Sequence, residues 1–210
     1  MLKKAFLFGI ILTFLFLTVG FVFMKNGGEK ITVEAKNETT VNDSFENIEP
    51  NDDLPEMKNP RIVVKEADRK LEIFDGEKLI KTYRVGLGFA PAGDKEKQGD
   101  GKTPEGEFYI FTKNSKSSYY LSLGVSYPST DDAERGLRDK LISKKQRDEI
   151  VEAIRNKKTP PQKTKLGGEI YIHGNGSSND WTWGCVALEN AEMKEIFDVI
   201  TVGTSVKIEP

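Results

Sequence analysis

The chain has 210 residues, a formal net charge of −2 and a single cysteine. That balance supplies no basic footprint, which argues against nucleic-acid binding, and one cysteine excludes an internal disulfide scaffold. With one histidine as well, the metal-ligating repertoire speaks against a zinc site, and no cofactor is expected.

Lys3 and Lys4 precede an uncharged run of 19 residues, Ala5 to Phe23, of which fourteen are Leu, Ile, Val or Phe. As a helix the run spans about 28 Å, close to the thickness of a bilayer core. It is longer than the apolar core of a signal peptide and ends without an Ala-x-Ala site. Residues 1–24 therefore read as an uncleaved membrane anchor, with the lysines inside and the rest of the chain on the extracytoplasmic side. Residues 25–59 carry nine acids, four lysines and one aromatic, Phe45. So little apolar surface does not offset the entropy of ordering, and the segment reads as a disordered acidic tether. Residues 60–210 suffice for one domain with its own core.

The domain opens with strand signals. Arg61–Lys65 is a β-branched run, and Lys70–Phe74, Asp75-Gly76 and Lys78–Val85 read as a hairpin whose Asp-Gly supplies positive φ. A glycine-rich loop from Gly86 to Gly106 leads into the strand Glu107–Phe111. Within it, Gly101-Lys102-Thr103 matches the end of a phosphate-binding loop. Glu96 stands where that motif needs glycine, and Pro104 would disturb the helix behind it, so the loop is expected to shape a cleft instead. Ser143 begins a helix by a capping box with Gln146, with Ile150, Val151 and Ile154 on one face until Pro160 and Pro161. Asn190 caps a second, in which Met193, Ile196, Phe197 and Ile200 follow helical spacing and Gly203 ends it. Glu169–Ile172 and Ser205–Ile208 complete the strands. The expected domain is mainly β with two peripheral helices.

The only histidine and the only cysteine stand twelve positions apart, in His173-Gly174 and Thr182-Trp183-Gly184-Cys185-Val186. A free cysteine often merely packs. A thiol with a histidine nearby and glycines around both is also the pattern of a nucleophile and its base. Gly184 permits close backbone approach, so amides near Cys185 are candidates for an oxyanion hole, with Gly174 giving similar freedom beside the imidazole. Asp180 is a tempting carboxylate orienter for His173, although loop aspartates more often cap turns. Trp181 and Trp183 flank the motif and offer stacking surfaces.

The His-Gly, the Thr-x-Gly-Cys followed by an aliphatic residue, and the upstream Thr103-Pro104-Glu105-Gly106-Glu107-Phe108 together resemble the L,D-transpeptidase catalytic domain, the YkuD-type family. Leu121 to Pro128 is similar to a Ser-Tyr-Pro stretch in one branch. The likeness covers about residues 60–210. It implies an L,D-transpeptidase-like β-sandwich and cysteine-dependent acyl transfer on peptidoglycan stem peptides. Cys185 would be the nucleophile and His173 the base, the latter oriented by a backbone carbonyl. Gly184 and Gly174 would give backbone support, and Thr182, Trp183 and Lys102 would touch substrate. The chain departs from many members in having Trp183 where they have His, and Ala187 where they have an Arg two residues after the cysteine. Lys102, Arg135 and Arg138 are the cations considered for that missing charge. Water as acceptor would make the enzyme an L,D-carboxypeptidase or amide hydrolase; loss of activity would leave an inert wall-binding module. A sortase also places His before Cys, but needs an Arg downstream, and none follows Cys185. A papain-like hydrolase runs in the opposite order.

Overall fold

The computed structural model describes residues 54–210. The expected anchor, 1–24, and the tether up to residue 53 lie outside the described residues. Among the described residues no helix is long and apolar enough to cross a membrane.

The hairpin forms where the turn chemistry placed it. Strand β2 (Lys70–Asp75) returns as β3 (Lys78–Arg84), with Gly76 at φ 59° in the loop. Strand β1 (Pro60–Lys65) pairs antiparallel with β2 and parallel with the last strand, β8 (Ser205–Glu209). The long β4 (Gly106–Ser117) pairs with β8 through its first residues and with β5 (Tyr120–Val125) through its later ones. Two short strands finish the sheet: β6 (Tyr171–His173) against β5, and β7 (Val186–Ala187) parallel to β6. The order is β3-β2-β1-β8-β4-β5-β6-β7. One curled eight-stranded sheet therefore replaces the expected sandwich, because β4 serves both halves.

Its enclosed face holds the core, including Ile62, Val64, Leu71, Ile73, Ile110, Leu123, Ile172 and Val206. Each such side chain contributes on the order of 1.5–3 kcal/mol by leaving water. Leu54 and Met57, from the end of the segment read as tether, pack on this core.

Among the described residues three helices form, one more than the two expected in the domain. The additional one, α1 (Thr130–Arg138), carries Asp131, Asp132, Glu134, Arg135 and Arg138 and buries only Asp132, Ala133 and Gly136. It has no apolar stripe to betray it; its sequence signal is the capping box Ser129/Asp132. Gly136 lets α1 approach Leu166, whose Cδ2 would lie 2.8 Å from a Cβ there. Helix α2 (Lys144–Arg155) starts from the expected Ser143/Gln146 box, and its Ile150 joins Ala133, Ile142 and Leu166 in a satellite core. Helix α3 (Asn190–Val199) is capped at Glu189 rather than Asn190, and ends before Ile200 rather than near Gly203. The Asn190 side chain is used otherwise: its Oδ1 accepts the Asn175 N–H at 2.9 Å, tying the helix start to the loop that follows His173.

Candidate active site

Parallel pairing of β6 with β7 sets Ile172 opposite Val186 and His173 opposite Ala187. Register alone thus carries the imidazole at the end of β6 and the thiol just before β7 to one edge of the sheet. The β4–β5 hairpin projects over the same edge. Together they enclose a cavity of about 480 Å³, whose lining includes Lys116, Tyr119, Glu169, His173, Trp183 and Cys185.

His173 is buried. Its Nδ1 lies 2.7 Å from the Gly174 carbonyl oxygen. A carbonyl only accepts, so the proton sits on Nδ1 and the Nε2 lone pair is left free. Tyr119 stacks on the ring with centroids 4.7 Å apart, and Trp181 meets it edge-on at 5.6 Å. Burial lowers the pKa of the imidazole below its ordinary value, with the Gly174 carbonyl opposing; the ring is neutral at pH 7. Gly174 itself is closely surrounded, since a Cβ there would lie 2.4 Å from Asn190 Oδ1.

Cys185 is half-buried, and its Sγ approaches the Glu169 carbonyl oxygen at 3.6 Å. Burial pushes the thiol up to about 11, opposed by the Tyr171 backbone N–H and by Lys95. Both shifts favour the uncharged thiol and the uncharged imidazole, and the two groups line one cavity.

The turn before the thiol is rigidly built. Thr182 is buried, and its hydroxyl donates to the Cys185 carbonyl at 2.7 Å while accepting the Gly184 N–H at 3.1 Å. The threonine thus lines the cavity while its hydroxyl shapes the turn. The Gly184 amide is thereby engaged, which leaves the Cys185 amide as the candidate oxyanion donor. Gly184 has φ 124°, and a Cβ there would meet the Lys102 carbonyl at 2.5 Å. Only glycine fits.

Other expected residues divide clearly. Trp183 is 70% exposed, lines the cavity and meets Phe89 edge-on at 4.9 Å. Lys102 is outside the cavity lining and contributes its backbone, behind Gly184. Asp180 does not orient His173: it binds Arg69 at 2.8 Å and the Leu87 N–H at 2.9 Å. Arg135 pairs with Asp132 at 2.6 Å and holds the Lys95 and Glu96 carbonyls, and Arg138 pairs with Asp139 on the surface. Neither lines the cavity. Sequence reasoning missed Tyr119, Glu169 and Asn190 as site residues. None sits in a recognisable motif; the fold brings Tyr119 and Glu169 to the cavity and Asn190 to the loop after His173. Among the described residues no cluster of His, Cys, Asp and Glu could hold a metal ion.

A family model, the L,D-transpeptidase catalytic domain (YkuD), matches residues 59–208. The chain belongs to this family. No curated protein matches it. Solved structures with a similar fold include the helical cell shape determining protein Pgp2 from Campylobacter jejuni, at 23% identity and TM-score 0.49 over 75% of this chain and 50% of that one. Bd1075 from Bdellovibrio bacteriovorus follows at 25% identity and TM-score 0.44 over 74% and 51%. An L,D-transpeptidase from Mycobacterium smegmatis has 10% identity and TM-score 0.43 over 72% and 59%. The chain spans about half to three fifths of the length of these proteins.

Proposed function

We propose that this protein is a cysteine-dependent L,D-transpeptidase acting on peptidoglycan stem peptides in wall cross-linking or remodelling. The observation that carries the reading is the meeting of the only thiol and the only imidazole in one cavity, with Nδ1 fixed on the Gly174 carbonyl inside a chain of this family. Residues 1–24 would hold the protein at the membrane with the catalytic domain on the extracytoplasmic side, where its substrate is.

His173 Nε2 takes the Sγ proton as Cys185 attacks the carbonyl carbon on the L-side of an L,D peptide bond. The resulting oxyanion is received by the Cys185 amide. The C–N bond breaks, the proton passes from the imidazolium to the leaving D-Ala amine, and a thioester remains. An amine of a second stem attacks the thioester, gives its proton to His173, and the sulfur leaves and is reprotonated. Trp183, exposed at the rim, offers its face to the peptide. Elevation of the thiol pKa suits this sequence, because the proton is transferred only as the sulfur attacks.

Incubation of the full chain with a tetrapeptide stem, alone and with an acceptor stem, followed by mass spectrometry, tests the reading. A cross-linked dimer less one D-Ala supports transpeptidation. A tripeptide alone would make the protein a carboxypeptidase, and unchanged peptide would leave a wall-binding module.

A further inference from the structure

The cavity at the thiol holds two opposite charges that no group among the described residues neutralises. Lys116 and Glu169 both line it, and both are exposed. Among the described residues neither side chain makes an ion pair or a hydrogen bond, with the other or with any third group. Elsewhere the chain pairs its charges readily, as in Lys65 with Glu72, Lys81 with Glu195 and Lys144 with Asp148. Two lone charges of opposite sign in one cavity are the complement of a ligand that carries both.

Each residue is placed by its backbone. Glu169 has φ 57°, in the left-handed region that a residue with a side chain enters only under constraint. Its N–H donates to Gln162 Oε1 at 2.7 Å, and Gln162 Nε2 is itself fixed on the Tyr127 and Pro160 carbonyls at 3.1 and 2.8 Å. The carbonyl of the same residue meets Sγ at 3.6 Å, so the backbone of Glu169 is held at the nucleophile. An anion there works against a thiolate, so the carboxylate has no use in the attack itself. Lys116 comes from a different wall, the β4–β5 hairpin. Pairing of the two strands shifts register between Asn114 and Ser117, and Asn114 Oδ1 accepts the Lys116 N–H at 2.9 Å. Irregularities of this kind re-aim side chains beside active sites.

The donor peptide of the proposed reaction carries matching charges. D-Ala leaves with a free α-carboxylate, one residue or about 3.5 Å of chain beyond the scissile carbonyl. A stem that can supply the acceptor amine carries an ammonium at neutral pH, and when the same stem is the donor that ammonium enters with it. We propose that Glu169 and Lys116 are the specificity-determining pair of this cavity, Glu169 receiving the side-chain ammonium of the donor stem and Lys116 the carboxylate of its terminal D-Ala. Held apart, the two charges orient the peptide so that its scissile carbonyl is presented to Cys185; the reversed peptide would set like charges together. The inference rests on the reading of the protein as an acyl-transfer enzyme on stem peptides. It concerns only the donor, and so holds whether an amine or water takes the acyl group.

The test measures release of the terminal residue by the full chain, as kcat/KM read by mass spectrometry. Three tetrapeptide stems are compared: one with side-chain amine and D-Ala carboxylate both free, one with the amine acetylated, and one ending in the D-Ala amide. The parent prefers the free stem over each analogue by about tenfold, the order expected for one charge-assisted contact in a partly screened site. Glu169→Gln lowers the preference against the acetylated stem about fivefold and keeps the preference against the amide, and Lys116→Met does the reverse. Each preference is a ratio within one variant, so the amount of folded protein does not enter it. Glu169→Asn, which suits a positive φ, takes the place of Glu169→Gln if circular dichroism shows that variant unfolded. Parental preferences in either folded variant overturn the inference, as does a fall in both preferences from one substitution. Failure of the parent to release D-Ala from any stem, or release by Cys185→Ala, would instead overturn the proposed function and this inference with it.

Discussion

The protonation state of the thiol is open to a direct kinetic test. With its pKa raised to about 11, Cys185 is roughly 10⁻⁴ thiolate at pH 7, against about 3% for a free thiol of pKa 8.5. That is a deficit of roughly 300-fold. A more basic thiolate is also more nucleophilic, with a Brønsted slope of about 0.4–0.5, which recovers roughly tenfold. Cys185 should therefore react with iodoacetamide at pH 7 about 20- to 30-fold more slowly than free cysteine. Its rate should climb about tenfold per pH unit from pH 6 to 10 without a plateau. The assay is the pseudo-first-order loss of free thiol, read by intact mass, since the chain has one cysteine. A thiolate–imidazolium pair would give the opposite profile, fast and nearly flat from about pH 5 upward. That result would refute the argument that burial of both groups keeps the pair neutral.

His173→Ala should slow acylation by a stem peptide about 10²–10⁴-fold, the usual worth of a positioned base. In the parent, turnover should fall only as pH drops below 6.5, because burial holds the imidazole pKa below its ordinary value; a midpoint above 7 would contradict this. Gly184→Ala should abolish acylation and lower the melting temperature, since its Cβ would stand 2.5 Å from the Lys102 carbonyl at a φ of 124°; wild-type rates would show that the turn is not fixed as described. Glu66 is buried, its Oε1 has no hydrogen-bond partner, and burial raises its carboxyl pKa from 4.5 to about 8. The folded state thus keeps a proton that the unfolded chain releases above pH 4.5. The stability linked to it is whole below that pH, declines as pH rises through 8, and is absent beyond. Glu66→Gln should recover part of it at pH 9, with an upper bound of about 5 kcal/mol; a denaturant midpoint that does not rise at pH 9 would count against it.

What the sequence revealed was local. The Asp75-Gly76 turn, the Ser143 capping box and the helical spacing of Met193 and Ile196 encode their structures within a few residues, and each is found near its expected place. Helix α1 escaped because a charged helix that buries one alanine and one glycine has no apolar period. The strand β5 escaped because Ser122 and Gly124 dilute its pattern, although Gly124 is what lets β5 lie against Phe111 and Thr112 on β4. At the site, Cys185 and His173 stood out by their rarity. Their neighbours did not. Tyr119 and Glu169 reach the cavity through hairpin geometry and sheet register, which no spacing in the chain records. Asp180 misled for the same reason: its partners, Arg69 and Leu87, are about a hundred residues upstream.

The most direct measurement of the central claim is the intact mass of the full chain mixed rapidly with a tetrapeptide stem and quenched in acid, where thioesters persist. The account predicts an adduct equal to the stem less D-Ala, located on Cys185, lost on treatment with hydroxylamine and missing from Cys185→Ala. Product formation without any such adduct, or an adduct that persists in Cys185→Ala, would contradict it.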